Sequence, residues 1–249
     1  MTESTAAKSQ IPNPKSQIII ALDVETADEA RKIIDELGEM VGAFKIGLQL
    51  FTSAGASFVR ETVEKGNKVF LDVKFHDIPN TVAKASIEVA RLGVWMFNVH
   101  ALGGSEMLRR TVEAVTEICE KENLDKPKII GVTILTSANQ ETLHEIGVEK
   151  EISRQVLDLA RLSAKCGLDG VVASPHETSL IRQTIESRDF LIVTPGIRTS
   201  FATNDDQKRV MTAKEAVLQG SNYLVVGRAV LQSADKLKAV KSILTEIQD

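Results

Sequence analysis

The chain has 249 residues and a mass of 27.2 kDa, enough for one large α/β domain or two small ones. Apolar residues make up 43%, charged residues 26% and aromatic residues 4%, which excludes a fibrous or disordered chain. A net charge of −4 and a pI of about 5.7 exclude the basic field of a nucleic-acid binder, while a local basic pocket for a small anion remains open.

Residues 1–16, MTESTAAKSQIPNPKS, are polar and lack the apolar centre of a signal peptide, so they read as a loose tail ahead of a domain over residues 17–249. No apolar run approaches the length a membrane-spanning helix needs, so no membrane association is expected. Strand-like runs follow at QIIIAL (Gln17–Leu22), AFKI (Ala43–Ile46), KVFLDVKF (Lys68–Phe75) and VWMFNV (Val94–Val99). KIIGVTIL (Lys128–Leu135), GVVA (Gly170–Ala173), FLIVT (Phe190–Thr194) and YLVV (Tyr223–Val226) complete the set. Helical patterns alternate with them, among them TADEARKIIDELG, SFVRETVEKG, NTVAKASIEVARLG and EISRQVLDLARLSAKCG, several closing on Gly.

A strand–helix rhythm repeated eight times in about 250 residues predicts a (β/α)8 (TIM) barrel forming a single domain. An open doubly wound sheet is the competing architecture, but no G-x-G-x-x-G follows the first strand. Two connections are long, Ser137–Lys150 after strand five and Pro195–Met211 after strand seven; in a barrel, loops that follow strands lie on the catalytic face. Cys119 and Cys166 are far apart with no C-x-x-C spacing, as expected of buried thiols in a reducing, cytoplasmic compartment.

The third strand carries the strongest chemical signal. In LDVKFHDIPNTV, Asp72 and Lys74 are two residues apart and share a face, while Leu71, Val73 and Phe75 take the other. Charges aimed into a barrel are costly unless they satisfy one another. Other polar residues fall at the carboxyl ends of neighbouring strands: Asp23, Lys45, His100, Thr136 and Arg228. Each alone reads as a rim residue, and the set as a whole reads either as a structural ion-pair ring or as a catalytic mouth, which two acids and two lysines together favour. At the far end, TPGIR (Thr194–Arg198) and VGRAV (Val226–Val230) offer a Gly-Arg step opening a helix and a second arginine nearby. Both suit a phosphate, in the place where barrels often bind one.

These pieces in order, ALDV, the D-x-K-x-x-D-I-P-x-T core of strand three, TPGIR and VGRAV, resemble the orotidine 5′-phosphate decarboxylase family from Gln17 to the C-terminus. The resemblance implies a homodimeric barrel that converts orotidine 5′-phosphate to uridine 5′-phosphate and CO2 in pyrimidine synthesis, without metal or organic cofactor. It implies that Lys74 gives a proton to C6 of the pyrimidine, with Asp72 beside the departing carboxylate. Lys45 would orient Asp72 and reach the ribose, and Asp23 would bind a ribose hydroxyl. Asp77, Ile78 and Thr81 match the segment lent to the other subunit's site, and Thr136 the hydroxyl residue at the pyrimidine. Arg198, Gln207, Gly227 and Arg228 match the phosphate side, with Gln207 bridging phosphate and base.

Two other readings stand beside this one. A metal-dependent phosphosugar decarboxylase or synthase of the same barrel superfamily shares D-x-K-x-x-D, but I-P-N-T and TPGIR fit it poorly. A metal site built on His76, His100 and the acids would lack a tight ligand spacing. A non-catalytic nucleotide-binding barrel is the more distant alternative, and it would not require Asp72, Lys74 and Asp77 together.

Overall fold

The computed structural model describes residues 13–187, 189–198 and 211–248. Eight parallel strands close into a barrel: β1 (Ile18–Ala21), β2 (Ala43–Gly47), β3 (Val69–Phe75), β4 (Met96–His100), β5 (Lys128–Val132), β6 (Gly170–Val172), β7 (Leu191–Pro195) and, after two short strands, β10 (Tyr223–Val226). The intervening strands β8 (Ile197–Arg198) and β9 (Met211–Thr212) pair only with each other, an element the sequence pattern did not signal. The order round the barrel is β1-β10-β7-β6-β5-β4-β3-β2, so each barrel strand lies beside its neighbours in sequence.

Helices fill the connections and cover the outside. Their apolar stripes, such as Ala30, Ile33, Ile34 and Leu37 of helix Ala27–Leu37, pack against the outward residues of the strands. Thr26 caps that helix by accepting from the Glu29 N–H, and among the described residues five α-helices are followed, one residue past the C-cap, by a glycine at positive φ: Gly66, Gly93, Gly147, Gly167 and Gly220.

The inward face has its own small core: Ile19, Ala21, Ala43, Phe70, Met96, Ile130, Val193 and Val225. Below it, Trp95 meets Tyr223 edge to face at 5.0 Å and the Lys68 ammonium lies 5.7 Å from the Trp95 ring centre, closing the amino-terminal end. Because side chains alternate along a strand, the inward series continues from this plug to the other end. It runs through Asp23, Lys45 and Gly47, Asp72, Asn98 and His100, and Gly227.

Several boundaries differ from the sequence pattern. β5 stops at Val132 rather than Leu135, and just beyond it the Thr133 hydroxyl donates to the Val172 carbonyl of β6. Residues Pro14–Gln17, partly assigned to the loose tail, form a short helix capped by Asn13. The connection after β5 contains a helix, Gln140–Glu145, closed by a capping box between Asn139 and Thr142. A longer helix than expected, Leu48–Glu64, follows β2, and it is interrupted at Gly55, whose φ of 71° is non-helical. Most of the long connection after β7, and with it Gln207, lies outside the described residues.

Close packing of β6 on β7 depends on Gly170. A Cβ there would stand 2.2 Å from the Leu191 carbonyl oxygen and 2.6 Å from the Leu191 Cβ. Gly170→Ala should therefore lower stability by about 1–3 kcal/mol, as overpacking typically does. Each kcal/mol moves Tm by about 2–4 °C in a chain of this size. Activity per folded molecule should be retained, because the residue opens β6 at the end opposite the charged mouth. An unchanged Tm in thermal unfolding would show that the two strands separate at no cost.

Candidate active site

Four charges of alternating sign form a chain across the carboxyl ends of β1, β2 and β3. Asp23 Oδ1 is 3.2 Å from Lys45 Nζ, Lys45 Nζ is 3.3 Å from Asp72 Oδ2, and Asp72 Oδ1 is 2.7 Å from Lys74 Nζ. Lys45 and Asp72 are the enclosed pair, with side chains 11% and 13% exposed, whereas Asp23 is 57% exposed and opens the chain to solvent. The four line a cleft of about 210 Å³ together with Leu22, Gly47 and Leu48.

Burial is the largest influence on Asp72 and by itself would push its carboxyl up. The Lys45 charge, the Lys74 charge and the hydrogen bonds from Lys74 and Asn98 outweigh it, so the group is held below the usual carboxylate range. Both of its oxygens are committed: Oδ1 accepts from Lys74 Nζ and, at 2.7 Å, from Asn98 Nδ2, and Oδ2 faces Lys45.

The local backbone explains how Lys74 enters this chain. Leu71 pairs with Phe97 and Phe75 with Val99, so Asp72, Val73 and Lys74 together lie opposite Asn98 alone, and the ladder between β3 and β4 is broken there. Lys74 takes a φ of 52°, the left-handed region, which costs a non-glycine residue about 1–2 kcal/mol. Its N–H donates to Asn98 Oδ1 at 2.8 Å. Gly47 supplies room on the other side: a Cβ there would stand 3.0 Å from Lys45 Nζ. Neither Asn98 nor Gly47 was among the expected site residues. The available signal was parity, since Asn98 interrupts the apolar run VWMFNV two positions before His100 on the same face.

His100 is half-buried beside Lys74, its ring centre 5.4 Å from that of His76. Burial first, then the neighbouring His76 and Lys74 charges, push its pKa down, against an opposing pull from Asp72. Among the described residues no group of three or more His, Cys, Asp or Glu is arranged to hold a metal ion.

The other expected positions fall in different places. Asp77, Ile78 and Thr81 are exposed and do not line the cleft; the Asp77 carboxylate accepts from the Ile78 N–H at 2.6 Å as the chain turns into helix Pro79–Arg91. Thr136 sits half-buried in the turn beyond β5 and is not among the cleft residues. Gly227 ends β10 with Asp23 Oδ2 3.5 Å from where its Cβ would be, and Arg228 opens the short helix Arg228–Leu231 with its side chain exposed. Arg198 pairs with Thr212 through the backbone.

Comparison with known proteins agrees with this geometry. Residues 16–243 match the model of the family described as "Orotidine 5'-phosphate decarboxylase / HUMPS family". The orotidine 5′-phosphate decarboxylase of Geotalea daltonii is 49% identical over 94% of this chain and 96% of its own. That of Syntrophotalea carbinolica is 51% identical over 94% and 95%. Among solved structures, the orotidine 5′-phosphate decarboxylase of Lactobacillus acidophilus superposes with a TM-score of 0.82 at 35% identity, over 93% of this chain and 99% of that one.

The depressed Asp72 pKa has a consequence for stability. Its ionised form is favoured in the folded state, so the contribution is full above the ordinary carboxylate range of about 4 and is lost as pH falls through the lower folded value. In urea unfolding between about pH 7 and pH 3, Asp72→Asn should lose less stability on acidification than the parent chain. Equal pH slopes for the two proteins would refute the assignment of a charge-held carboxylate.

Proposed function

Because the chain belongs to the orotidine 5′-phosphate decarboxylase family and decarboxylates orotidine 5′-phosphate to uridine 5′-phosphate in pyrimidine synthesis, we propose that Lys74 delivers the proton to C6 from the end of the Asp23–Lys45–Asp72–Lys74 chain. That alternating chain is the observation that carries the reading. When the bond from C6 to the carboxylate carbon breaks, CO2 departs and the electron pair stays on an sp² carbon with no sink to spread it. An ammonium fixed at that point stabilises the developing charge and then gives up its proton to C6, leaving a neutral amine that is recharged from solvent. Orotidine 5′-phosphate and one proton thus become uridine 5′-phosphate and CO2.

Asp72 aims Lys74 and lies beside the reacting carboxylate. Lys45 orients Asp72 from its other oxygen and reaches the ribose, whose hydroxyl Asp23 accepts. Thr136 touches the pyrimidine. Gly227, Arg228, Arg198 and Gln207 hold the phosphate, the last from the segment outside the described residues. No cofactor enters this scheme: the carbanion is met by charges the chain itself supplies.

We also infer a homodimer working in the cytoplasm, its sites at the subunit interface. Four large apolar side chains, Leu48, Ile78, Leu102 and Leu135, are 43–67% exposed and follow the four consecutive strands β2 to β5, forming a rim that a second copy would cover. Asp77 is part of that rim, and from there it would reach the partner's cleft. Both cysteines are free and buried, in keeping with a reducing compartment.

Lys74→Ala removes the proton donor and the fixed positive charge together. Its kcat should fall by at least ~10³, with the folded state retained. Turnover near the parent value, followed by the absorbance loss of orotidine 5′-phosphate, would refute the role.

Sharing of the site is tested by mixing. Lys74→Ala and Asp77→Ala homodimers should each be nearly inactive. After dissociation and random reassociation about half the dimers are mixed, each with one site lacking both groups and one intact, so about one quarter of all sites should regain activity. If Asp77 served its own subunit, every site would still lack one group and mixing would restore nothing, with reassociation verified by native mass.

A further inference from the structure

We propose that Asn98 is a positioning residue for the decarboxylation, clamping the Lys74 main chain and the Asp72 carboxylate with one amide; this rests on the role given to Lys74 above. The break in the β3–β4 ladder leaves three residues of β3 facing Asn98 alone. A main-chain N–H within that break has lost its strand partner, and for Lys74 the partner is instead the Asn98 side chain, at 2.8 Å. The same amide donates to Asp72 Oδ1 at 2.7 Å. Its orientation follows from chemistry: an N–H can only donate, so the amide oxygen must face Lys74 and the NH2 must face the carboxylate. Asn98 is itself fully buried at the strand end, held in β4 between Phe97 and Val99.

Two properties of Lys74 therefore depend on Asn98. One is the left-handed φ of 52°, which no regular strand would hold. The other is the aim of its ammonium, set by an Asp72 oxygen that Lys74 and Asn98 share. Few side chains meet both demands. Aspartate would set an anion against Asp72, and alanine would leave the N–H and the carboxylate oxygen each short of a partner. Substrate binding rests on other groups, so loss of the clamp should misplace the proton donor with little effect on the hold on substrate.

The test compares Asn98→Ala and Asn98→Asp with the parent chain and with Lys74→Ala. Asn98→Ala should lower kcat by about 10²-fold while KM for orotidine 5′-phosphate stays within about 3-fold, the split expected of a misaimed group. Asn98→Asp keeps an acceptor for the Lys74 N–H and replaces the donor with a carboxylate. Burial and the Asp72 charge should raise the pKa of that introduced carboxyl, and once protonated it again donates to Asp72. Its kcat relative to the parent should then rise as pH falls from about 8 to about 5.5. The charged and titratable neighbours, Lys45, Asp72, Lys74, His76 and His100, are present in both proteins, so the ratio isolates position 98.

A purely structural role would lower Tm and leave that ratio flat. A flat ratio, or a kcat for Asn98→Ala within about 3-fold of the parent, overturns the proposal. If Asn98→Ala does not fold, the nearly isosteric Asn98→Asp carries the test, and failure of both to fold assigns Asn98 to the fold and overturns it too. Loss of activity in Lys74→Ala with normal turnover in both Asn98 variants refutes this inference alone, whereas an active Lys74→Ala refutes the reading beneath it.

Discussion

Asp72 stands between two ammonium groups in a place where water cannot pay for its charge, and the mouth of the barrel is organised around that condition. A carboxylate enclosed to this degree survives ionised only if opposite charges and donors surround it, and here Lys45, Lys74 and Asn98 occupy both of its oxygens. Removing any one of them leaves a buried group short of a partner, so the cluster holds together as a unit. The barrel meets the requirement with rigid elements, because β2, β3 and β4 each contribute one arm and the apolar plug beneath fixes their spacing.

Regular geometry carries most of this arrangement, and irregularity supplies the rest. Parity along the strands sends positions 23, 45, 72 and 98 inward with no local distortion. Position 74 arrives only through the broken ladder and a left-handed residue. Strain of that kind persists where surrounding bonds over-determine it, and it is concentrated at the lysine to which the proposed reaction assigns the proton. On that reading the fold spends stability where an ammonium must be held in one place.

Much of this was legible in the amino-acid order. The eightfold rhythm gave the barrel, and the carboxyl-end positions of Asp23, Lys45 and Asp72 gave most of the ion chain; alternation in LDVKF put Lys74 beside Asp72, but for a reason the broken ladder replaces. Asn98 was harder to see because a single amide in an apolar strand has many uses, and its value here depends on a register shift between strands that no one-dimensional pattern encodes. Gly47 was hidden for a similar reason: the space it leaves matters only once the Lys45 side chain is placed across it. β5 was read three residues too long because Ile134 and Leu135 continue the apolar run, although the sheet pairing has ended at Val132. Asp77, Ile78 and Thr81 illustrate a different limit. Their residue types suggest chemistry, but a single chain leaves them facing outward, and their use depends on what lies opposite.

The broken ladder also changes how the spacing of D-x-K-x-x-D is to be understood. The interval between Asp72 and Lys74 looks like the two-residue repeat of a strand, and the next interval, to Asp77, like a short loop. In the folded chain the first interval lies within a backbone kink, where three residues occupy the length normally given to one, and the second begins where pairing with β4 resumes at Phe75. The motif is therefore a ruler for excess chain. Deleting residues from it would leave the composition of the strand nearly intact and draw β3 straight against β4, turning a reactive corner into ordinary sheet. A chain carrying the same acids and lysine at a different interval would be expected to fold into a similar barrel with a differently shaped mouth, so length in this segment, as much as residue identity, sets the shape of the mouth.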